Sequence, residues 1–260
     1  MNAAKRIEDF RVTRNISLTP RHFILEAMAP EKLPGMLPGQ FVQVLVENSH
    51  TTFLRRPFSV HLVKEKENSL QLLVQIKGDG TKKLSLLREG DRLNLVYPLG
   101  NSFTTGVKGE VLLIGGGCGV APLLFLARTL QEQGAKVTTL IGGRRKHDLL
   151  EAEEYRKCGT VYLATEDGSE GEKGLVTDHS LLQKEKLGYS RIYCCGPDAM
   201  MRAVAKMAGM HKIECEVSLE NTMACGFGVC LCCITPTTGG NQRVCVEGPV
   251  FDTKVLGWTS

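Results

Sequence analysis

The cysteines are the residues whose spacing most clearly predicts chemistry. The 260 residues contain ten of them, and five follow residue 224. Among these, the C-x4-C-x2-C spacing with a more distant fourth cysteine is made by Cys225, Cys230, Cys233 and Cys245. Thiolates in this order are typical of plant-type [2Fe–2S] clusters, and glycines inside the first interval let backbone amides approach the sulfur atoms. The pattern predicts an iron–sulfur cluster with these four metal ligands.

A zinc site is the alternative interpretation of the same cysteines. Structural zinc sites also use four thiolates, but they usually arrange them as two short C-x2-C pairs. This segment has one such pair, Cys230–Cys233, and the longer step from Cys225 to Cys230 favours the cluster. Cys232 is then a surplus thiol. The residues alone leave zinc open.

Two segments in the first hundred residues have the features of a phosphate-binding surface. Arg56-Pro57-Phe58-Ser59 combines a guanidinium, whose planar donors suit a pyrophosphate, with a proline that restricts the backbone. Lys77-Gly78-Asp79-Gly80-Thr81 adds a glycine turn with a hydroxyl. Each motif also occurs by chance, since a glycine turn is often only a hairpin. Their order within one predicted barrel makes cofactor binding the favoured interpretation.

A third segment has the context of a dinucleotide phosphate loop. The run Gly115-Gly116-Gly117-Cys118-Gly119-Val120-Ala121-Pro122 follows an apolar strand and precedes a helical stripe. Glycines permit close approach and a helix amino terminus favours phosphate, so we expect Gly116, Gly117 and Gly119 to bind a dinucleotide. The run matches G-G-x-G-x-x-P rather than G-x-G-x-x-G, and a plain tight turn is the alternative.

A later strand-to-helix turn is the candidate site for the nicotinamide ring. It contains Cys195 and Gly196, directly before Pro197. A small buried side chain is the alternative interpretation of Cys195. We expect both residues to contact the nicotinamide cofactor.

The elements that must position these residues divide the chain into three predicted domains. Residues 1–103 contain short, regularly spaced strands between Pro, Gly and charged turns, which is typical of a small antiparallel β-barrel. Residues 104–212 alternate apolar strands with helical stripes, which indicates a parallel α/β nucleotide-binding domain. Residues 213–260 have no clear periodicity and are expected to form a small cluster-binding subdomain. The predicted fold class is therefore all-β plus α/β.

The predicted elements can be given as ranges. In the barrel, strands are expected at Phe23–Met28, Phe41–Glu47, Phe58–Val63, Leu70–Ile76 and Arg92–Tyr97. In the α/β part, strands are expected at Val111–Ile114, Val137–Ile141, Thr160–Thr165 and Arg191–Cys195. Helices are expected at Pro122–Gln133, Asp148–Lys157 and Asp198–Met207.

Composition and charge exclude several other classes of protein. Hydrophobic residues make up 42% of the chain and charged residues 23%, unlike a disordered chain. The formal net charge of +4 is mild and the basic residues are scattered, so nucleic acid is not an expected partner. We see no apolar run of the ~20 residues that span a bilayer, and no apolar segment typical of a signal peptide. A cytoplasmic protein without a membrane partner is expected.

These motifs together resemble the ferredoxin–NADP reductase superfamily, in which a flavin-binding barrel precedes a nicotinamide-binding α/β domain. The resemblance covers nearly the whole chain. It rests on Arg56–Ser59, Tyr97-Pro98-Leu99-Gly100, the loop 116–122 and Cys195-Gly196-Pro197. The fold expected from it agrees with the one read from the strand and helix patterns.

The cysteine-rich segment is similar to one branch of that superfamily. Met223-Ala224-Cys225-Gly226 and the run Val244–Phe251 resemble the electron-transfer subunits of NAD-dependent (type B) dihydroorotate dehydrogenases. In that branch the gap before the last cysteine is often longer than it is here. The difference suggests a shortened hairpin rather than a lost ligand. The assignment of Cys245 as the fourth ligand depends on this interpretation.

The resemblance implies the cofactors and the residues that hold them. An iron–sulfur cluster is implied at the four cysteines 225, 230, 233 and 245, and NAD is implied over the loop 116–122. FAD is implied to contact Arg56, Pro57, Phe58, Ser59, Leu73, Val74, Gln75, Gly80 and Thr81.

The resemblance also implies a partner and an electron path. In that branch, a separate FMN-containing catalytic subunit oxidises dihydroorotate to orotate in de novo pyrimidine (UMP) biosynthesis. Electrons are then expected to pass singly through the [2Fe–2S] cluster to FAD and to leave as a hydride to NAD+. Two copies of each subunit are expected to form a heterotetramer. No residue pattern for dihydroorotate itself is found, so no catalytic residue is assigned to this chain.

Two other functions remain open from the residues. A subunit of an NAD(P)H–ferredoxin or sulfide-type oxidoreductase has the same three-part plan, although such relatives often have aspartate in place of the first cluster cysteine. Arg144-Arg145, after the second α/β strand, could accept the 2′-phosphate of NADP, so NADP is the alternative to NAD as the nicotinamide cofactor. A zinc-stabilised binding module without redox activity is the alternative from another class.

Overall fold

The computed structural model describes residues 4–258, which form two compact units. The first unit contains the residues up to 102 together with 220–235 and 243–249. The second contains 103–219, 236–242 and the residues from 250 onwards. The cysteine-bearing segments therefore belong to the same unit as the N-terminal strands. The three-domain division read from the sequence stays a prediction.

The first unit is built on one antiparallel sheet of seven strands. Their order in the sheet is β4-β3-β7-β1-β2-β6-β5, and the edge strand β4 also contacts β6, which curls the sheet into a barrel. The elements are β1 (Arg6–Thr19), β2 (His22–Met28), β3 (Phe41–Val44), β4 (Arg56–Ser59), β5 (Leu62–Lys64), β6 (Ser69–Gln75), α1 (Asp79–Leu84) and β7 (Arg92–Leu99).

Strand β1 is the longest element that the sequence pattern missed; the short strands at Glu172–Lys173 and after residue 213 were not predicted either. Strand β1 lies at the centre of the sheet, between β7 and β2. Of its fourteen residues only Phe10 and Val12 are buried, and most of the rest are polar or charged. A strand with one solvated face and so few apolar residues gives a weak periodic signal. Its place in the sheet is fixed by pairing with two more apolar neighbours.

The predicted glycine turn at residues 78–80 is instead the beginning of helix α1. The Thr81 hydroxyl accepts hydrogen bonds from the backbone N–H groups of Lys77 and Gly78, at 2.9 and 3.1 Å, and donates to the Gly78 carbonyl. These bonds satisfy donors that a helix start leaves without partners. Thr81 therefore holds the local turn that follows β6.

The second unit is a parallel α/β sheet with one antiparallel edge strand. Its strand order is β11-β10-β9-β8-β12-β13-β16, and only β16 runs antiparallel to its neighbour. Its elements are β8 (Glu110–Gly116), α2 (Ala121–Glu132), β9 (Lys136–Gly143), α3 (Ala152–Arg156), β10 (Gly159–Thr165), β11 (Glu172–Lys173), β12 (Arg191–Cys195), α4 (Asp198–Met210), β13 (Glu214–Ser218) and β16 (Val250–Asp252). The predicted combination of an antiparallel and a parallel sheet is confirmed.

The remaining regular elements are short. A two-stranded hairpin is formed by β14 (Ile234–Thr237) and β15 (Gly240–Arg243). Single turns of 3-10 helix occur at Glu65–Glu67, Gly117–Val120, Lys146–Asp148, Val176–Asp178 and Ser180–Leu182. Within residues 4–258, no helix combines the length and the apolar character needed to cross a bilayer.

The order of the parallel strands reverses between β8 and β12. From β8 the chain proceeds outward to β9, β10 and β11, and then returns to the other side of β8 as β12 and β13. Residues 111–114 of β8 are fully buried, since helices cover both faces of such a sheet. In open α/β sheets, ligands bind beyond the carboxyl ends of the strands where the order reverses. The fold thus marks the ends of β8 and β12 as a binding position.

Candidate functional sites

The four predicted cluster cysteines lie in the first unit as two pairs of thiols. The Cys230 thiol donates a hydrogen bond to Sγ of Cys225, and the Cys245 thiol donates one to Sγ of Cys233. The backbone N–H of Cys245 also donates to Sγ of Cys233, at 3.4 Å. All ten cysteines of the chain are free thiols. The structure therefore places the four cysteines singled out by their spacing in two contacting pairs, Cys225 with Cys230 and Cys233 with Cys245.

Backbone N–H groups of the short cysteine loop point at these sulfur atoms. The Phe227 N–H donates to Sγ of Cys225 at 3.5 Å. The Gly228 N–H points at Sγ of Cys245, so one loop contacts a member of each pair. Amides aimed at sulfur stabilise negative charge on a thiolate or on a bound cluster. The loop is thus arranged to accept anionic sulfur.

Two of the thiols differ widely in acidity. Burial alone would raise the pKa of Cys225, but the hydrogen bonds that its sulfur accepts from Cys230 and Phe227 lower the pKa to about 6. For Cys245, burial and the hydrogen bond to Cys233 raise the pKa to about 12. The hydrogen bonds therefore favour the thiolate form of Cys225, whereas Cys245 would keep its proton until a bound metal ion displaced it into solvent.

The paired arrangement fits a binuclear cluster. Among the described residues, no three His, Cys, Asp or Glu side chains converge on one point at metal-binding range. A [2Fe–2S] cluster takes two protein ligands on each iron, which is the arrangement that two thiol pairs supply. Cys232 is exposed and belongs to neither pair. The donor set and the amides around it fit the predicted cluster.

Arg243 connects the turn that contains Cys245 to the loop between Cys225 and Cys230. Arg243 Nε lies 3.1 Å from Glu247 Oε2, and Arg243 Nη1 donates to the Gly228 carbonyl at 3.3 Å. The Arg243 backbone N–H also donates to Glu247, at 2.7 Å. The ion pair braces the turn that contains Cys245, and the hydrogen bond from Arg243 to Gly228 joins this turn to the loop that follows Cys225.

The predicted flavin residues on β4 occupy the edge of the antiparallel sheet. Arg56 is exposed, and its side chain makes no hydrogen bond or ion pair with the described residues. The neighbouring Arg55, by contrast, is part-buried and donates to the carbonyl of Asn94 at 3.2 Å. The other three residues of the motif are half-buried on a strand that pairs only with β3, namely Pro57, Phe58 and Ser59. Arg56 is free to meet an anionic group, and Arg55 is not.

The other predicted flavin residues lie on β6 and on the helix that follows it. Leu73 and Val74 are buried and Gln75 is half-buried, at the end of β6 beyond the part that pairs with β5. Gly80 lies in α1, where an added Cβ would stand 3.1 Å from the Thr52 side chain. The Thr81 hydroxyl is already used to hold the start of α1. The contact between β4 and β6 brings these groups to one side of the barrel.

The predicted nicotinamide-binding residues meet where the order of the parallel strands reverses. Gly115 at the end of β8 pairs in register with Cys195 at the end of β12. A Cβ on Gly119 would lie 2.3 Å from the carbonyl oxygen of Cys195, and one on Gly116 would lie 2.7 Å from the Met200 sulfur. Glycine is required because the two turns are in direct contact.

The outer side of the same turn is open. Gly117 has φ +54°, in the left-handed region, and a Cβ built on it would meet no atom within 4 Å. The 3-10 turn Gly117–Val120 leads directly into α2. The partly exposed Gly117 and Gly196 form a small glycine surface at the amino terminus of α2, whereas Gly116, Gly119 and the Cys195 side chain are buried.

Two structural contributors were not recognised from the sequence. The buried Tyr155 of α3 donates from its hydroxyl to the carbonyl of Val120 at 2.5 Å, which fixes the last residue of the glycine turn. Gln43 of β3 is fully buried against the cysteine loop. A single tyrosine or glutamine in a strand or helix carries no pattern that would reveal such a contact.

Three family profiles match the chain. They are described as the oxidoreductase FAD-binding domain at residues 9–103, the oxidoreductase NAD-binding domain at 113–206, and the iron-sulfur cluster binding domain of dihydroorotate dehydrogenase B at 220–257. The first two contain the predicted flavin and nicotinamide residues, and the third contains all four cluster cysteines.

Several proteins are similar over most of the chain. A protein of Desulforamulus reducens named dihydroorotate dehydrogenase B (NAD(+)), electron transfer subunit, is 36% identical over 97% of this chain and 99% of its own length. A protein of the same name from Caldanaerobacter subterraneus is 39% identical over 82% of this chain and 84% of its own. This chain belongs to the family of dihydroorotate dehydrogenase B electron transfer subunits.

Solved structures add a second comparison. One chain of an NADH-dependent reduced ferredoxin-NADP oxidoreductase, studied for flavin-based electron bifurcation, has a TM-score of 0.86 and 31% identity, with 96% of this chain and 90% of that chain covered. The ferredoxin reductase of a carbazole 1,9a-dioxygenase has a TM-score of 0.69 at 21% identity, over 81% of this chain and 67% of that chain, which shows a shared fold. The resemblance to the ferredoxin–NADP reductase superfamily is confirmed. FAD, NAD and an iron–sulfur cluster are the cofactors of this family's domains.

The close contact at Gly119 generates a prediction about the family's nucleotide turn. Gly119→Ala places a methyl group 2.3 Å from a backbone oxygen, so either the glycine turn or the Cys195 turn must move. Overpacking of this kind costs roughly 1–3 kcal/mol and should lower the melting temperature by roughly 2–10 °C. Differential scanning fluorimetry, with and without NAD+, measures the change.

The matched control is Gly188→Ala in the same unit, at an exposed site where the added methyl meets no atom within 4 Å. It should leave both the melting temperature and the stabilisation by NAD+ unchanged. Equal behaviour of the two variants would show that the turns do not need the glycine.

Proposed function

We propose that this chain passes electrons from an FMN-containing dihydroorotate dehydrogenase catalytic subunit to NAD+, as part of de novo pyrimidine biosynthesis. The observation that carries the proposal is the arrangement of four cysteine thiols as two pairs on the unit that contains the barrel. The family to which the chain belongs is named for this electron transfer. The described residues supply thiols, glycine turns and an unpartnered arginine, all of which suit carriers of electrons rather than dihydroorotate.

The proposed metal ligands are Cys225, Cys230, Cys233 and Cys245. The first two would hold one iron and the last two the other, since they already lie in contact in these pairs. The N–H groups of Phe227 and Gly228 would offset the negative charge of the sulfur atoms. A [2Fe–2S] cluster supplies single-electron transfer at this position.

The proposed flavin site is the open side of the barrel at β4 and β6. Arg56 would bind a phosphate through its free guanidinium, while Pro57, Phe58 and Ser59 would line the ring along the exposed strand edge. Residues 73–75 and the turn with Gly80 and Thr81 would complete the surface. FAD supplies the step between one-electron and two-electron transfer, because it can hold either number.

The proposed nicotinamide site is the glycine surface at the carboxyl ends of β8 and β12. The open Gly117 and the amino terminus of α2 would bind the pyrophosphate, and the partly exposed Gly196 would lie beside the ring. Tyr155 would keep the turn in place through the Val120 carbonyl. These residues bind and orient NAD+ and carry no covalent chemistry themselves.

An apolar rim around the cysteine loop is the proposed contact with the catalytic subunit. Phe227, Val229 and Leu231 are 45%, 75% and 55% exposed, next to the exposed Cys230. Exposed apolar side chains around a redox centre suit a surface that a partner covers.

We propose two copies of each subunit in the complex, located in the cytoplasm, where thiols stay reduced.

A second candidate has one observation in its favour. The similarity to a chain of an NADH-dependent ferredoxin-NADP oxidoreductase extends over almost the whole molecule. Cysteine rather than aspartate at position 225 favours the dihydroorotate pathway. Reduction of NAD+ by reduced ferredoxin, without any second subunit, would favour the alternative.

The first prediction concerns the ligands. Cys230→Ser should lose most of its bound iron and acid-labile sulfide, together with the paramagnetic signal of the reduced cluster, because one iron loses a thiolate. Cys232→Ser is the matched control, since Cys232 is equally exposed and lies two residues away. Its cluster content should equal that of the unmodified protein. A full cluster in Cys230→Ser would rule out this ligand.

The second prediction concerns the flavin. Arg56→Ala should weaken FAD binding by about 10- to 150-fold, the effect of losing one charge-assisted hydrogen bond of about 1.5–3 kcal/mol. Arg14→Ala, at another exposed arginine of the barrel, serves as the control and should bind FAD normally. Fluorescence titration of the apoprotein gives both constants. Unchanged affinity in Arg56→Ala would contradict the assignment.

The function itself is tested by reconstitution. The isolated chain should oxidise NADH with artificial electron acceptors and should not oxidise dihydroorotate. Dihydroorotate-dependent reduction of NAD+ should appear only when the FMN-containing subunit is added. Oxidation of dihydroorotate by this chain alone would overturn the proposal.

The same assay tests the apolar rim. Val229→Asp should weaken binding of the catalytic subunit by about tenfold or more, while activity with artificial acceptors is retained. Leu86→Asp, at a residue of similar exposure elsewhere on the barrel unit, should bind as the unmodified chain does. Equal binding by both variants would place the partner on another surface.

A further inference from the structure

Gln43 is a polar residue in the middle of an otherwise apolar strand. On β3 it pairs with Pro57 of β4 on one side and with Val96 of β7 on the other. It is completely buried, as are Val42 and Val44, whose side chains point to the opposite face of the strand. A buried glutamine at such a position needs hydrogen-bond partners for its amide.

The side-chain amide of Gln43 has none among the described residues. Nε2 and Oε1 are both buried, and neither makes a hydrogen bond. Arg55 Nη1 donates to the main-chain carbonyl of Gln43, at 3.4 Å, and so leaves the side-chain amide unsatisfied. Pro57, its partner across the β3–β4 pair, has no backbone N–H to offer. A buried amide without a partner is costly, so the site implies a group that the protein chain does not supply.

The amide lies directly against the cysteine loop. A Cβ built on Gly226 would stand 2.7 Å from Cγ of Gln43 and 2.8 Å from its Nε2. Gly226 has φ +81° and follows Cys225 in the chain. Glycine is needed there for both its conformation and its lack of a side chain, which lets the loop contact Gln43. Both residues belong to the same compact unit.

We propose that Gln43 donates a hydrogen bond from its side-chain NH2 to a sulfur atom of the iron–sulfur cluster held by the loop 225–233. The inference rests on the proposed function, because it requires the cluster. Cluster sulfurs carry negative charge and only accept hydrogen bonds, so an NH2 group is the complementary partner. Gln43 is thereby a positioning residue that ties the cluster to strand β3, next to the proposed flavin strand β4.

This hydrogen bond raises the reduction potential of the cluster. Reduction adds one negative charge, and a donor aimed at sulfur stabilises the reduced form more than the oxidised form. Removing the donor therefore makes the cluster harder to reduce. A tenfold change in the reduction equilibrium corresponds to about 59 mV for a one-electron couple.

The test compares Gln43→Met, which has a similar length and no donor, with the unmodified protein. Redox titration followed by electron paramagnetic resonance should give a lower potential in the variant, with a similar cluster content. Gln71→Met is the matched control, because Gln71 also lies on a barrel strand but donates to Glu26 at 2.7 Å. Its cluster potential should be unchanged. Gln43→Leu, which also has no donor and no charge, should lower the potential as well.

A stability measurement gives an independent readout. Without the cluster, Gln43→Met replaces an unpartnered buried amide by an apolar side chain, so the apoprotein should melt at a higher temperature than the unmodified apoprotein. With the cluster loaded, this gain should shrink or reverse, because a hydrogen bond is lost. An equal gain in both forms would overturn the inference.

The outcomes separate the two proposals. If the unmodified protein binds no cluster, the proposed function fails, whatever Gln43 does. If the cluster is present but both Gln43 variants keep the original potential, the proposed function stands and the role of Gln43 is wrong.

Discussion

Negative sulfur atoms must be held close together in this protein, and like charges repel unless donors and metal ions offset them. The loop between Cys225 and Cys230 meets this constraint with backbone N–H groups aimed at sulfur, one of them from Phe227 and one from Gly228. Arg243, which is paired with Glu247, joins the turn of the fourth cysteine to the same loop through its hydrogen bond to the Gly228 carbonyl. The cysteine segment thus depends on short-range polar contacts rather than on a core of its own.

The barrel provides what the cysteine segment lacks. Gln43 and Gly226 are in direct contact, and the backbone N–H of Asn101, just after β7, donates to the Gly248 carbonyl at 2.7 Å. The segment is therefore fixed to the sheet whose edge strand carries Arg56–Ser59. The proposed cluster and flavin sites both lie in this compact unit, so the unit would set their separation, on which the rate of electron transfer depends steeply. The parallel sheet would meet a different requirement, since its glycine turns are proposed to bind an NAD+ that arrives and leaves.

Much of this organisation could be predicted because the decisive signals are local. The cysteine spacing, the glycine run after an apolar strand and the strand Arg191–Cys195 are all short patterns that lie within a few neighbouring residues. Strand β1 could not be found, because its fourteen residues bury only Phe10 and Val12 and its partners decide its conformation. Helix α1 could not be found, because Gly78 and Gly80 are typical of a turn and the sequence does not reveal that the Thr81 hydroxyl caps the helix start. Gln43 and Tyr155 act through distant segments of the chain, and no sequence spacing records such contacts.

The central claim is that the four paired thiols bind a binuclear iron–sulfur cluster on a flavin-binding barrel. The direct measurement is the content of iron, acid-labile sulfide, zinc and FAD in native protein purified without air. The account predicts about two iron atoms, two sulfides and one FAD per chain, with no stoichiometric zinc. One zinc ion per chain with neither sulfide nor flavin would contradict it.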